Sequence, residues 1–178
     1  METTERMLAL ATGIGFETAA QMDPKTIELR EEVREMCAEG KCKAYGHNWT
    51  CPPACGDLEH CREVVARYEK GIIVQTVGEL EDSLDYESMM EAGQTHKERI
   101  RSLAEKVREI CPDALCLGAG GCTVCKECAY PDPCRFPEKA FSSMEGYGML
   151  VSDVCKANGV LYYHGENTVT YVGCCLFN

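Results

Sequence analysis

From Asp23 onward the apolar positions switch between helical and strand-like spacing. Asp23-Pro24 has the form of a helix start, Asp as N-cap and Pro at the first helical position. That helix is expected to run through Ile27 and Val33 to about Met36 and to deliver Cys37 at its end. A loop from Cys42 to Gly56 follows, punctuated by Gly40, Gly46, Pro52 and Pro53. Asp57 is placed to cap a second helix, with Leu58, Cys61, Val64, Val65 and Tyr68 on one face. Ile72 to Val77, between Gly71 and Gly78, reads as a buried strand. A long helix is expected over Tyr86 to Ile110, its clearest stripe being Ile100, Leu103, Ala104, Val107 and Ile110, and Cys111-Pro112 ends it.

Ala114 to Leu117 reads as another strand, and a Gly-, Cys- and Pro-rich loop runs from Gly118 to Pro137. Ser142-x-x-Glu145 resembles a capping box. It predicts a helix with the stripe Met144, Tyr147, Leu150, Val151 and Val154, stopped at Asn158-Gly159. Val160–Tyr163, a turn through Gly165-Glu166-Asn167, and Thr168–Phe177 predict a closing β-hairpin. Helices alternating with strands give the fold class: α/β or α+β, a small mixed sheet with helices packed on it and two cysteine-rich metal loops, 37–61 and 118–137. The 178 residues are expected to form one domain, and 45% apolar content is enough for a real core.

The net charge of −11 argues against nucleic acid, which needs a basic stripe. An acidic surface keeps a protein soluble and can steer basic partners. No run of eighteen apolar residues suggests a membrane span. Glu2, Glu5 and Arg6 do not form a secretory leader, so a cytoplasmic location is expected.

Fourteen cysteines change the picture most. Reduced thiols in a cytosol point to metal or redox chemistry rather than a disulfide framework. So many thiols are an oxidation liability, which suits an anaerobic setting.

The most specific motif is Cys122-x2-Cys125-x2-Cys128-x5-Cys134. Such a CxxCxxC run is the ferredoxin-type spacing for a [4Fe–4S] cluster, although Pro137 falls three residues after the fourth Cys. Zinc, the alternative, usually takes paired CxxC units across a longer loop. Pro131 and Pro133 stiffen the excursion to Cys134.

A second, less regular group is Cys37-x4-Cys42-x8-Cys51-x3-Cys55, with Cys61 beyond it on an apolar helix face and read as packing. It offers a second cluster. Cys111, Cys116 and Cys155 are expected in the core. Cys174 and Cys175 are adjacent on a strand and point to opposite faces. His47 and His60 lie near the first group and are expected at the surface. Tyr45 and Trp49 either shield a cluster or anchor the loop, and Arg135 either offsets cluster charge, binds an anion or is a plain surface residue. Gly118-Ala-Gly-Gly121 leads into a Cys loop and not a helix with Lys-Ser/Thr, so it is not a phosphate loop of that nucleotide-binding kind.

Two blocks together resemble a family of small predicted metal-binding proteins of anaerobic bacteria and archaea. One is Cys37-x4-Cys42-x2-Tyr45-Gly46-x2-Trp49-x-Cys51-Pro52-Pro53. The other is Gly121-Cys122-x2-Cys125-x2-Cys128 leading to Cys134-Arg135-x-Pro137, then Ser143-Met144-Glu145. The resemblance covers most of the chain and implies metal binding without a particular activity. Cys55 and Cys61 are less regular in that family than Cys37, Cys42 and Cys51, which leaves the fourth ligand of the first group open.

The expected function is an iron–sulfur protein with a redox or electron-transfer role, acting on a redox partner protein or a small-molecule substrate. One alternative is an enzyme that uses an open cluster iron as a Lewis acid. The other is a structural zinc protein.

Overall fold

The computed structural model describes residues 1–40 and 42–178. Lys41, inside the first cysteine loop, lies outside the described residues. In chain order the elements are α1 (Thr3–Ile14), β1 (Thr18–Met22), a 3₁₀ turn (Pro24–Thr26), α2 (Glu31–Glu39), α3 (Leu58–Val65), β2 (Lys70–Glu79), α4 (Tyr86–Ile110), β3 (Leu115–Leu117), a second 3₁₀ turn (Pro137–Lys139), α5 (Val151–Ala157) and β4 (Thr168–Phe177). The class is mixed α/β, as the alternating pattern implied. The elements α1 and β1 precede the first one read from the sequence.

The four strands stand in the order β1-β2-β4-β3, and every neighbouring pair is antiparallel. The expected mixed sheet is therefore corrected. The unit β2–α4–β3 does run its two strands in the same direction, but β4 inserts between them and pairs with both. The expected hairpin is also corrected: Val160–Tyr163 forms no strand, and β4 pairs along its whole length with β2 instead, from Lys70↔Phe177 to Glu79↔Thr168. A buried side chain holds the 160–164 segment in place. Gln75 Nε2 donates to the Leu161 carbonyl at 2.6 Å, and Gln75 Oε1 lies 2.9 Å from His164 Nε2.

Both faces of the sheet are covered. On one, Ile73, Val172, Cys174 and Leu176 meet Leu58, Cys61 and Val65 of α3 and Val151, Val154 and Cys155 of α5. On the other, Ile72, Val74, Cys175 and Phe177 meet Met7 and Ala11 of α1 and Ile100, Leu103 and Val107 of α4. The strand period sends Cys174 and Cys175 to opposite cores, as expected. Cys61, Cys116 and Cys155 are core residues, whereas Cys111 is only half-buried.

One tertiary contact breaks two helices that periodicity alone predicts. Leu29 pairs with Met149 as an isolated antiparallel bridge, and Arg30 N donates to the Gly148 carbonyl at 2.8 Å. Residues 27–30 are thus drawn out of the helix expected from Pro24 to Met36, leaving a 3₁₀ turn and α2. The same contact holds 144–149 in turns, so the helix expected from the Ser142–Glu145 capping box starts only at Val151. Gly148 has φ +90°, and an added Cβ would lie 2.9 Å from Leu58 Cδ1 and 3.0 Å from the Arg30 carbonyl. A side chain there is excluded by both conformation and space. By contrast, α3 forms where its Asp57 cap and periodicity place it, and α4 where periodicity does. Asp57 accepts from His60 N, and Asp85, a cap not among the sequence expectations, accepts from Ser88 N.

Candidate metal centre

The loop after β3 brings Cys122, Cys125, Cys128 and Cys134 to the wall of one cavity. The remaining wall comes largely from the first cysteine loop, through Asn48, Trp49 and Thr50, and from Arg135 and Phe136. Trp49 Nε1 donates to the Asp132 carbonyl at 2.7 Å, and its ring meets Tyr130 edge-on at 4.9 Å. Asn48 Nδ2 donates to the Cys122 carbonyl at 3.3 Å, and Cys122 N donates to Thr50 Oγ1 at 3.2 Å. Asn48 Oδ1 in turn accepts from Thr50 N and Thr50 Oγ1. The two cysteine loops, which the sequence presents as separate sites, are stitched to each other. Trp49 shields the second group rather than its own.

Cys51 stands at the seam. An added Cβ on Gly121, next to Cys122, would lie 3.6 Å from its sulfur. Burial, the largest cause, pushes the Cys51 thiol up to about 11, and nearby Cys42, Cys55 and Cys37 add to the rise. Thr50 Oγ1, 3.9 Å from the sulfur, works in the opposite direction. Cys37, on α2, is raised by burial, then by Cys42 and by the Glu145 carboxylate. The four thiols of the first group thus share one electrostatic neighbourhood. Cys42 is its exposed member.

Cys55 is engaged differently. Its thiol donates to the Gly146 carbonyl at 3.7 Å, and the fully buried Cys61 lies beside it. The hydrogen bond with Cys61, and then burial, raise the pKa of Cys55. Cys61 is therefore both packing, as expected, and the neighbour of a candidate ligand. His47 and His60 are exposed.

Four residues of this region carry no sequence motif. Arg34 is buried, donates from Nη2 to the Gly56 carbonyl at 2.7 Å, and places its charge near Cys37, Cys55 and Cys61. Its position three residues before Cys37 on a helix was the one available signal. Lys97 of α4 donates to the Gly121 carbonyl at 2.8 Å and sits near Cys122 and Cys51. Asn48 and Thr50 are the buried polar staples described above.

Among the described residues, no three Cys, His, Asp or Glu side chains stand close enough to hold a single metal ion. The donor set nonetheless suits a metal-bound group. Four thiols of one loop line one cavity, and thiolate is the ligand of soft metals and iron–sulfur clusters.

The fold and these loops define a cysteine-rich protein of mixed α/β class. The chain belongs to the family described as predicted metal-binding protein (DUF2284), whose model matches residues 20–177. No curated protein and no solved structure is significantly similar to the chain. No helix among the described residues is long and apolar enough to cross a membrane.

Proposed function

We propose that the protein is an iron–sulfur protein with a redox role. The observation that carries this reading is the shared cavity of Cys122, Cys125, Cys128 and Cys134, walled by Trp49 and Phe136. These four cysteines would hold a [4Fe–4S] cluster, and Cys37, Cys42 and Cys51 contribute to a second site at the seam of the loops. A bound cluster supplies one-electron transfer at a potential set by charge, hydrogen bonds and solvent exposure. Trp49 keeps water from one side of the cavity. Lys97 and Arg135 bring positive charge, which offsets thiolate charge and favours the reduced state. The net charge of −11 suits docking to a basic redox partner protein.

Protein purified without oxygen should be brown, absorb broadly near about 400 nm and contain iron and acid-labile sulfide. Colourless protein with stoichiometric zinc would overturn the reading.

A second reading rests on Cys55. Its thiol already donates to the Gly146 carbonyl, with Cys61 beside it. Cys37, Cys42 and Cys51 would then bind through three thiolates, leaving one iron open to a substrate, as in open catalytic metal sites. Wild-type protein that binds an added small thiol or cyanide, with Cys55→Ala unchanged, supports this enzyme. Exogenous binding that appears only in Cys55→Ala makes Cys55 a ligand and the site closed.

A further inference from the structure

Next to Cys122 lies a second cavity, of about 30 Å³, with a different character. Its cationic lining is Lys97 and Arg101 of α4 and Lys139, and its floor is the segment Gly118–Cys122. No carboxylate lines it. The chain has 29 acidic and 18 basic residues, so three cations meeting at one cavity without an acid is not what its composition favours. None of the three forms an ion pair among the described residues. Lys97 Nζ donates to the Gly121 carbonyl at 2.8 Å, and the exposed Lys139 lies over the Phe136 ring. Arg101 is therefore the lining cation with no protein partner among the described residues, and an anion in the cavity would offset the three charges.

The backbone points the same way. Among the described residues, the amides of Ala119, Gly120 and Gly121 donate to no protein acceptor. Gly120 has φ +70°, and successive amides around such a left-handed residue form an anion-binding concavity. The Gly120 backbone lies beside the Lys97 ammonium, an added Cβ falling 3.7 Å from Nζ, and it is the positive φ that favours glycine there. Ile100 and Phe141 supply apolar walls. The volume fits a group the size of a few water molecules, which is the size of an oxyanion head.

We propose that this cavity binds the carboxylate or phosphate group of a small ligand. Arg101 and Lys97 supply charge-assisted hydrogen bonds, and the Ala119–Gly121 amides complete the cradle. Binding itself needs no cluster. Only the consequence rests on the iron–sulfur reading: the anion would anchor a small substrate with the rest of its body beside Cys122.

The test is calorimetric titration of the anaerobically purified full-length chain with inorganic phosphate and, separately, with succinate. Iron content is measured on the same samples, so a failed cluster reading and a failed anion site are told apart. Wild-type protein should bind at least one probe, and the tighter one identifies the class. Arg101→Glu should weaken it by about tenfold or more. Lys106→Glu makes the same charge change on an exposed position of α4 that does not line the cavity, and should change affinity by less than about twofold. Arg101→Gln replaces Arg101→Glu if circular dichroism shows the latter unfolded. Binding of neither probe by the wild type, or equal weakening by the variants at Arg101 and Lys106, would overturn the proposal.

Discussion

Cys125 and Cys155 carry the same side chain into different surroundings. Cys125 is half-buried on the wall of the thiol cavity. Cys155 is fully buried in the core, its sulfur accepting from Gln75 Nε2 at 3.7 Å, and burial raises its pKa. On the iron–sulfur reading, Cys125→Ser should remove one cluster's iron and loosen its loop, since metal binding is coupled to folding. Cys155→Ser should leave iron unchanged and cost about 1–3 kcal/mol, because it puts a smaller, more strongly hydrated hydroxyl in a fully buried site. Equal iron loss from both would show the ligand set to be wrong. His96 gives a second test at this scale. It is fully buried between Phe16 and Tyr171, with Nδ1 2.9 Å from Thr76 Oγ1. Burial pushes its pKa down from 6.5 to about 4. Between these values the unfolded chain binds a proton that the folded protein does not, so stability falls as pH drops from 6.5 toward 4. Wild type should lose about 2 kcal/mol more than His96→Gln between about pH 7 and pH 5, read from urea midpoints. Parallel pH profiles would remove His96 as the cause.

Among the elements, α4 and its seat on the sheet are the most constrained. Ile100, Leu103 and Val107 face the sheet, and Ile100 and His96 pack against Gly173 of β4. An added Cβ there would overlap Ile100 Cδ1 and lie 2.8 Å from the Leu117 carbonyl. Gly173→Ala should therefore destabilise by about 1–3 kcal/mol through overpacking. Adding Ile100→Val removes the overlapping methyl and should recover part of the loss, whereas the Leu117 contact is backbone and should keep recovery incomplete. Purely additive losses in the double mutant would show that the two positions are not coupled. The 25-residue length of α4 was legible from the apolar stripe and Cys111-Pro112, because each signal is local, whereas its Asp85 cap was not read. The helices expected over 24–36 and 144–154 were not, because Leu29 and Met149 satisfy each other across 120 positions of sequence. An extended pairing of that kind leaves no mark on the 3.6-residue period of either segment.

At the scale of the whole molecule, the two cysteine loops depend on each other. Asn48 is buried and joins them through Thr50 and the Cys122 carbonyl. It carries no ligand atom in the proposed site. Asn48→Ala should nevertheless cost about 1–3 kcal/mol by stranding buried partners, and should lower iron retention at both cysteine groups. Iron and sulfide analysis of the purified variant would check this, and full iron content with a lowered urea midpoint would reduce Asn48 to a purely structural role. Of the eight candidate cysteines, Cys122, Cys125, Cys128 and Cys134 line one cavity, in keeping with their close spacing. That the first loop walls this cavity was not legible, since 74 positions separate Asn48 from Cys122.

The sequence alone determined whatever rests on near neighbours. This includes the cap of α3, the apolar stripe of α4, the opposite faces of Cys174 and Cys175, the two thiol-rich loops and the family's metal-binding character. Helical and strand periods, caps and short Cys spacings are properties of a few consecutive residues, so one chain displays them directly. Tertiary structure decided the rest: β4 between β2 and β3, the break at Leu29 and Met149, the bond of Cys55 to the Gly146 carbonyl, and three cations around a glycine-rich floor. Each of these joins segments far apart in the chain, where burial of apolar faces and satisfaction of buried polar groups select the partner and local pattern does not.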